Sequence, residues 1–198
     1  MANRKMPHRY RCWLAIAISV ATAAGMTAST LAADDPLLNE SRAVTEEFGN
    51  RLRSALQAAM AESGPAGAID VCKEIAPQIA SELSRRTGAQ VSRTSLRIRN
   101  PRNLAADWQV EILRDFEEED EPDAPQEFFQ RRENGEVRYM KAIPTGGLCT
   151  ACHGTAVPDD VQQILSELYP HDRAVGYEPG DVRGAFSIVW PAGSAPGN

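Results

Sequence analysis

The chain has 198 residues, with 27 acidic against 21 basic side chains and a formal net charge of −6. That balance excludes a protein built to neutralise phosphate, whose footprint is a basic face. The length allows one domain with a substantial core and is short for two.

The first segment reads as a secretory signal. Arg4, Lys5, Arg9 and Arg11 form a basic head without an acidic residue, an apolar run extends from Trp13 to Met26, and small residues lead to 30-TLAAD-34, where Ala32 or Ala33 precedes the expected cut. With its small residues the run approaches the ~20 needed to span a bilayer, but that small-residue end favours cleavage over an anchor. Residues 1–33 are therefore expected to leave, Cys12 among them, and 34–198 to remain as one periplasmic domain with no stable membrane span. Loss of four basic residues takes the charge from −6 to −10. The remaining cysteines are Cys72, Cys149 and Cys152, an odd number in an oxidising compartment, where one thiol is left over under any pairing.

From Glu40 to Glu62, Val44, Phe48, Leu52, Leu56 and Met60 recur every four positions, as one face of a helix requires. The stretch 63-SGPAG-67 breaks it. A second helix is expected from Ala68 to Arg86, with Ile69, Cys72, Ile75, Ala76, Ile79 and Leu83 along one side, so that Cys72 points inward. The β-branched stretch 89-AQVSRTSLRI-98 reads as a strand running into the turn 99-RNPRN-103. A third helix, Leu104 to about Glu118, buries Trp108, Ile112, Leu113 and Phe116. After the acidic loop 117-EEEDEPDAPQE-127, residues 127–143 read as a hairpin with Asn134-Gly135 at a tight turn. A short helix from Asp159 to Leu168 and a last strand, 182-VRGAFSIVW-190, complete the chain. Helices first and strands mainly later predict an α+β domain with a mostly antiparallel sheet.

Between the hairpin and the short helix lies 148-LCTACHGT-155. Cys-x-x-Cys-His is the set that holds a c-type haem: two cysteines form thioethers with its vinyl groups, and the next histidine reaches the iron. Two rivals use the same letters. A zinc tetrahedron would recruit Cys72, Cys149, Cys152 and either His153 or His171, although zinc sites usually show two short-spaced ligand pairs and this chain has one. A thioredoxin-like dithiol would need a βαβ setting, which the pattern does not show. For the sixth position of a haem iron bound by His153, the candidates are Met140 in a predicted strand, His171 after a helix, and the surplus thiol Cys72.

Four stretches, 69-IDVCKEIAPQIA-80, 92-SRTSLRIRNPRN-103, the hairpin leading into 149-CTACHG-154, and 169-YPHDRAVGYEPGDVRGAFS-187, together resemble the PAS-like c-type haem domains. The resemblance covers nearly all of the chain after the signal. It implies a PAS-like antiparallel sheet flanked by N-terminal helices, with one covalent haem c. It further implies tethering through Cys149 and Cys152 and axial ligation by His153 and Cys72, and does not favour His171. Such domains also serve as extracytoplasmic inputs of signalling kinases and receptors, a usage from which this sequence departs, showing neither a second span nor an output domain.

A thiolate ligand makes the ferric unit neutral and the ferrous unit anionic, so it favours the ferric state and lowers the potential within the roughly 0.8 V range that haem ligands set. The functional expectation is a low-potential sensor responding to a redox partner or a diatomic gas. A simple electron carrier is the alternative, and a peroxidase-like enzyme is less favoured because the familiar bacterial type uses two haems. Arg93, Arg97, Arg99 and Arg102 cluster in and after the predicted strand, and their guanidinium forks suit carboxylates. Arg97 and Arg99 are the candidates retained for the haem propionates.

Overall fold

The computed structural model describes residues 35–118 and 126–196, and the expected signal over 1–33 lies outside them. Four strands, β1 (Gln90–Thr94), β2 (Glu127–Arg131), β3 (Val137–Pro144) and β4 (Val182–Trp190), form one sheet in the order β1-β4-β3-β2. Every pairing is antiparallel. Helices α1 (Pro36–Gly67) and α2 (Ala76–Thr87) precede the sheet, α3 (Asp107–Glu118) lies between β1 and β2, and α4 (Gly147–His153) and α5 (Asp159–Leu168) lie between β3 and β4. The α+β class and the antiparallel sheet are as expected.

The two inner strands are covered on both faces, so they read as nearly continuous apolar runs. Val137, Tyr139, Phe186, Ile188 and Trp190 face α1 and α2 and pack on Leu37, Val44, Phe48, Ile79 and Leu83. The alternate residues Met140, Ala142 and Ala185 face α3 and pack on Ile112, Leu113 and Phe116. Polar groups at depth find partners: the Trp190 indole donates to Ser41 Oγ at 2.8 Å, and Gln109 Nε2 donates to Ser187 Oγ at 2.8 Å.

Several local expectations are corrected. Helix α1 is longer at both ends, begun by Asp35, whose carboxylate accepts the Leu37 N–H at 2.9 Å. The expected break survives as a kink at Gly64, whose φ of 65° is left-handed, just before Pro65. The second helix is not one continuous α-helix: residues Val71–Ile75 form a π-helical turn ahead of α2. Pro77 explains it, since an α-helical register would drive its ring against the Lys73 carbonyl four residues back, and a wider turn relieves that clash. The turn also changes the phase of the apolar stripe, leaving Ile75 37% exposed. Strand β1 stops at Thr94, and α3 starts at Asp107 rather than Leu104, which is 70% exposed. In the hairpin, Arg132 and Glu136 close a turn over residues 133–135, with Gly135 N donating to Arg132 O at 2.9 Å and Gly135 itself at a φ of 84°. That is a longer turn than the two-residue one expected, with glycine in its left-handed place.

Candidate functional site

The second half of the α1 stripe leaves the core at Leu52, which still packs against it. Leu52, Leu56 and Met60 line a cavity of about 140 Å³ between α1, the π turn, β1, α4 and β4. Its other walls bring together Cys72 with Cys149, Cys152 and His153, two sequence stretches far apart in the chain. An adjoining groove of about 590 Å³ shares Leu52, Leu56, Ile143, Leu148, Cys149 and Phe186 with it, so Cys149 stands where the two spaces meet.

The Cys-x-x-Cys-His motif forms α4, and Gly154 ends it. The Gly154 N–H donates to Thr150 O at 2.9 Å, and a Cβ at this position would stand 2.5 Å from that same oxygen. The chain then runs beside 174–177: Gly176 N donates to Gly154 O at 3.0 Å and Tyr177 N to His153 O at 2.9 Å. His153 Nδ1 lies 2.6 Å from the Ala174 carbonyl oxygen. A carbonyl only accepts, so Nδ1 carries the proton and Nε2 keeps its lone pair. Burial pushes the His153 pKa well below the ordinary value, and the nearby Arg183 and Arg99 charges add to the effect. The imidazole is thus neutral and held in one tautomer, the form a metal ion needs.

Cys72 reaches the cavity from the π turn, and π turns inside helices are frequent at functional sites. Cys152 packs under Ile69, Val161 and Tyr169, and burial pushes its thiol pKa up. All three described cysteines are free thiols.

Arg99 holds this frame together. It is 8% exposed, its Nε pairs with Asp172 Oδ2 at 2.9 Å, and its Nη2 donates to Cys152 O at 2.7 Å. Arg97 lies over the Tyr177 ring at 3.6 Å and donates to Val175 O, outside the cavity lining. Arg102 is exposed, and Arg93 lines the cavity. Of the other ligand candidates, Met140 is wholly buried on the α3 face of the sheet and His171 is exposed; neither lines the cavity.

Arg183, Tyr169 and Tyr177 were not singled out from the sequence. Arg183 and Tyr169 line the cavity, and the Tyr177 ring stands edge-on to His153 with centroids 6.4 Å apart. All three lie in 169-YPHDRAVGYEPGDVRGAFS-187, so the motif pointed to the segment without saying which side chains turn inward.

The donor set fits a tethered macrocycle better than its rivals. Among the described residues no three His, Cys, Asp or Glu side chains gather closely enough to hold a metal ion, so the Cys₃His tetrahedron is not assembled. Helix α4 does follow β3, but β4 returns antiparallel, so no βαβ unit presents Cys149 as a dithiol.

A family model described as Tll0287-like matches residues 23–191. The chain belongs to that family. The haem-domain family suggested by the four sequence stretches is therefore the one shown. Among solved structures, the chain is similar to the crystal structure of the cyanobacterial heme-protein Tll0287, at 25% identity and a TM-score of 0.65, over 82% of this chain and 99% of that one. No curated protein sequence matches. Membership of the Tll0287-like family accords with the four-stranded antiparallel sheet. No helix among the described residues is long and apolar enough to cross a membrane.

Proposed function

We propose that the chain is a periplasmic monohaem c-type cytochrome acting as a low-potential redox or gas-responsive sensor. Cys149 and Cys152 carry the thioethers, His153 and Cys72 are the axial ligands, and residues 34–198 are the domain left once 1–33 is cleaved. The observation that carries this reading is the His153 tautomer. His153 Nδ1–H donates to the Ala174 carbonyl, so the imidazole beside two thiols on one α4 turn offers a bare Nε2. Similarity to a cyanobacterial heme-protein supports haem as the occupant.

Haem supplies a one-electron couple when bound. Cys72, presented by the π turn at a largely apolar cavity, would supply a thiolate whose charge favours the oxidised form of the group held there. As a neutral thiol, the same sulfur would hold the group more weakly than as a thiolate. A carrier keeps both ligands through its cycle, whereas a sensor releases one.

Intact mass of the exported protein tests attachment: one haem, resistant to acid extraction, on a chain cut near Ala32 or Ala33. Stoichiometric zinc without haem overturns it. Cys72→Ala is expected to abolish the thiolate charge-transfer absorbance and the low-spin rhombic paramagnetic signal. If His171→Ala does so and Cys72→Ala does not, the ligand assignment fails. Carbon monoxide titration of the reduced protein separates the roles. The sensor reading expects binding that strengthens as pH falls, and a spectrum indifferent to the gas at every pH makes the protein an electron carrier.

A further inference from the structure

Two guanidinium groups at the cavity carry charge that nothing among the described residues balances. Arg183, on β4, donates from Nη1 to Ser95 Oγ at 3.1 Å and to the Arg97 carbonyl at 3.3 Å, both neutral acceptors, while its Nε is buried without a partner. Arg93 lies on the neighbouring strand β1, paired in register with Phe186, and stands 5.8 Å over the Phe48 ring with no ion pair among the described residues. Burial lowers the pKa of both, and for Arg183 the charges of Arg99 and Arg93 act in the same direction.

Among the described residues the surroundings hold no spare anion. Arg99 and Asp172 form a closed pair, His153 is neutral, and Tyr169 and Tyr177 are phenols, the Tyr169 pKa being raised by burial. Of the three cavity thiols, Cys149 and Cys152 become neutral thioethers in the reading above, and the charge that Cys72 can carry is spent on the iron. The cavity is thus left with two unbalanced cations, and burying charge without a partner is expensive.

We propose that Arg93 and Arg183 are the carboxylate-binding groups of this cavity and take the two propionates of the haem, one guanidinium to each. This rests on the haem reading and assigns a role within it. The count of charges carries it: two unpaired forks meet two carboxylates, and the orphaned Arg183 Nε is the kind of donor a carboxylate oxygen satisfies. Arg99, favoured from the sequence, is committed to Asp172 and to the backbone of Cys152, and Arg97 to the Tyr177 ring.

The test uses the haem-loaded protein. Arg93→Gln, Arg183→Gln, the two corresponding Lys variants and Arg102→Gln as control are compared by resonance Raman in the propionate bending region and by midpoint potential against pH. Each Gln variant is expected to keep its covalent haem, move one propionate bending band to lower frequency, and raise the proton affinity of that propionate at least about tenfold, which is one pH unit. The Lys variants, which keep the charge and lose the fork, are expected to shift the same band less; they decide the matter if a Gln variant does not fold. Variants that retain haem and coincide with Arg102→Gln in both measurements overturn this proposal alone. A wild-type chain that carries no haem overturns the reading beneath it.

Discussion

The imidazole of His153 and the carboxylate of Asp172 are linked through one residue, Ala174. His153 Nδ1 donates to the Ala174 carbonyl at 2.6 Å, while Asp172 Oδ1 accepts the Ala174 N–H at 2.8 Å. The other Asp172 oxygen takes Arg99 Nε at 2.9 Å, and Arg99 reaches on to the Cys152 carbonyl at 2.7 Å. The motif histidine and the backbone of the motif's second cysteine are both aligned by a carboxylate some twenty residues further on.

Removing that carboxylate leaves Arg99 charged, buried and unpaired. Asp172→Ala is expected to cost about 3 kcal/mol in urea unfolding, in line with breaking one partner of a buried pair. The double variant with Arg99→Met is expected to lose less than the two single losses added together. Strict additivity would show that Arg99 and Asp172 act independently.

Pro77→Ala removes the ring that forbids an α-helical register over the Lys73 carbonyl. The π turn is then expected to relax, carrying Cys72 around the helix and away from the cavity. Unfolding stability should hold or rise, while the haem-loaded protein loses the thiolate charge-transfer absorbance. Unchanged absorbance would mean that something other than Pro77 maintains the turn.

Gly184 on β4 lies against the end of β1, at a φ of 156°, and a Cβ there would run into the Thr94 carbonyl oxygen and stand 3.1 Å from Ser95 Cβ. Backbone cannot yield as a side chain can. Gly184→Ala is expected to destabilise by about 2 kcal/mol and to open the cavity wall formed by β1 and β4. Gly147→Ala, with nothing within 4 Å of its added carbon, is the neutral comparison.

A chain without haem, made as Cys149→Ala/Cys152→Ala, should depend on pH through His153. Burial depresses the folded pKa of this group, whereas the unfolded chain titrates it near about 6.5. Between those values the unfolded state binds more protons, so the contribution of His153 is complete above about 6.5 and is lost as pH falls towards the folded value. Urea midpoints from about pH 8 down to about pH 5 should decline, and His153→Gln should flatten that decline.

Much of this architecture was legible because local chemistry and tertiary demand agree. The first half of the every-fourth-residue apolar stripe of α1, with Val44 and Phe48, the β3 arm of the hairpin and the apolar run of β4 each report a face that is buried. What stayed hidden depends on contacts between distant segments. Arg97 and Arg99 differ by two positions and looked equivalent, yet one stacks on Tyr177 at the surface of the site and the other is locked to Asp172; only the path of 172–177 separates them. Arg183 was concealed by its strand, whose apolar neighbours read as core. The π turn did have a local signal, Pro77 inside an otherwise helical pattern, although a proline shows that a helix must adjust without showing how.

The strand order has a consequence for the sequence of events in making this protein. β4 is the last of the described strands, yet it lies in the interior of the sheet, between β1 and β3. A chain synthesised from its N-terminus therefore presents α4, with Cys149 and Cys152, before the strand carrying Arg183, Gly184 and Phe186 exists to wall them in. Until β4 inserts, β1 and β3 have no partner on their facing edges and the cavity has no floor. In the haem c reading proposed above, the topology would leave a window in which a bulky planar group could reach Cys149 and Cys152 before insertion of β4 closes the wall.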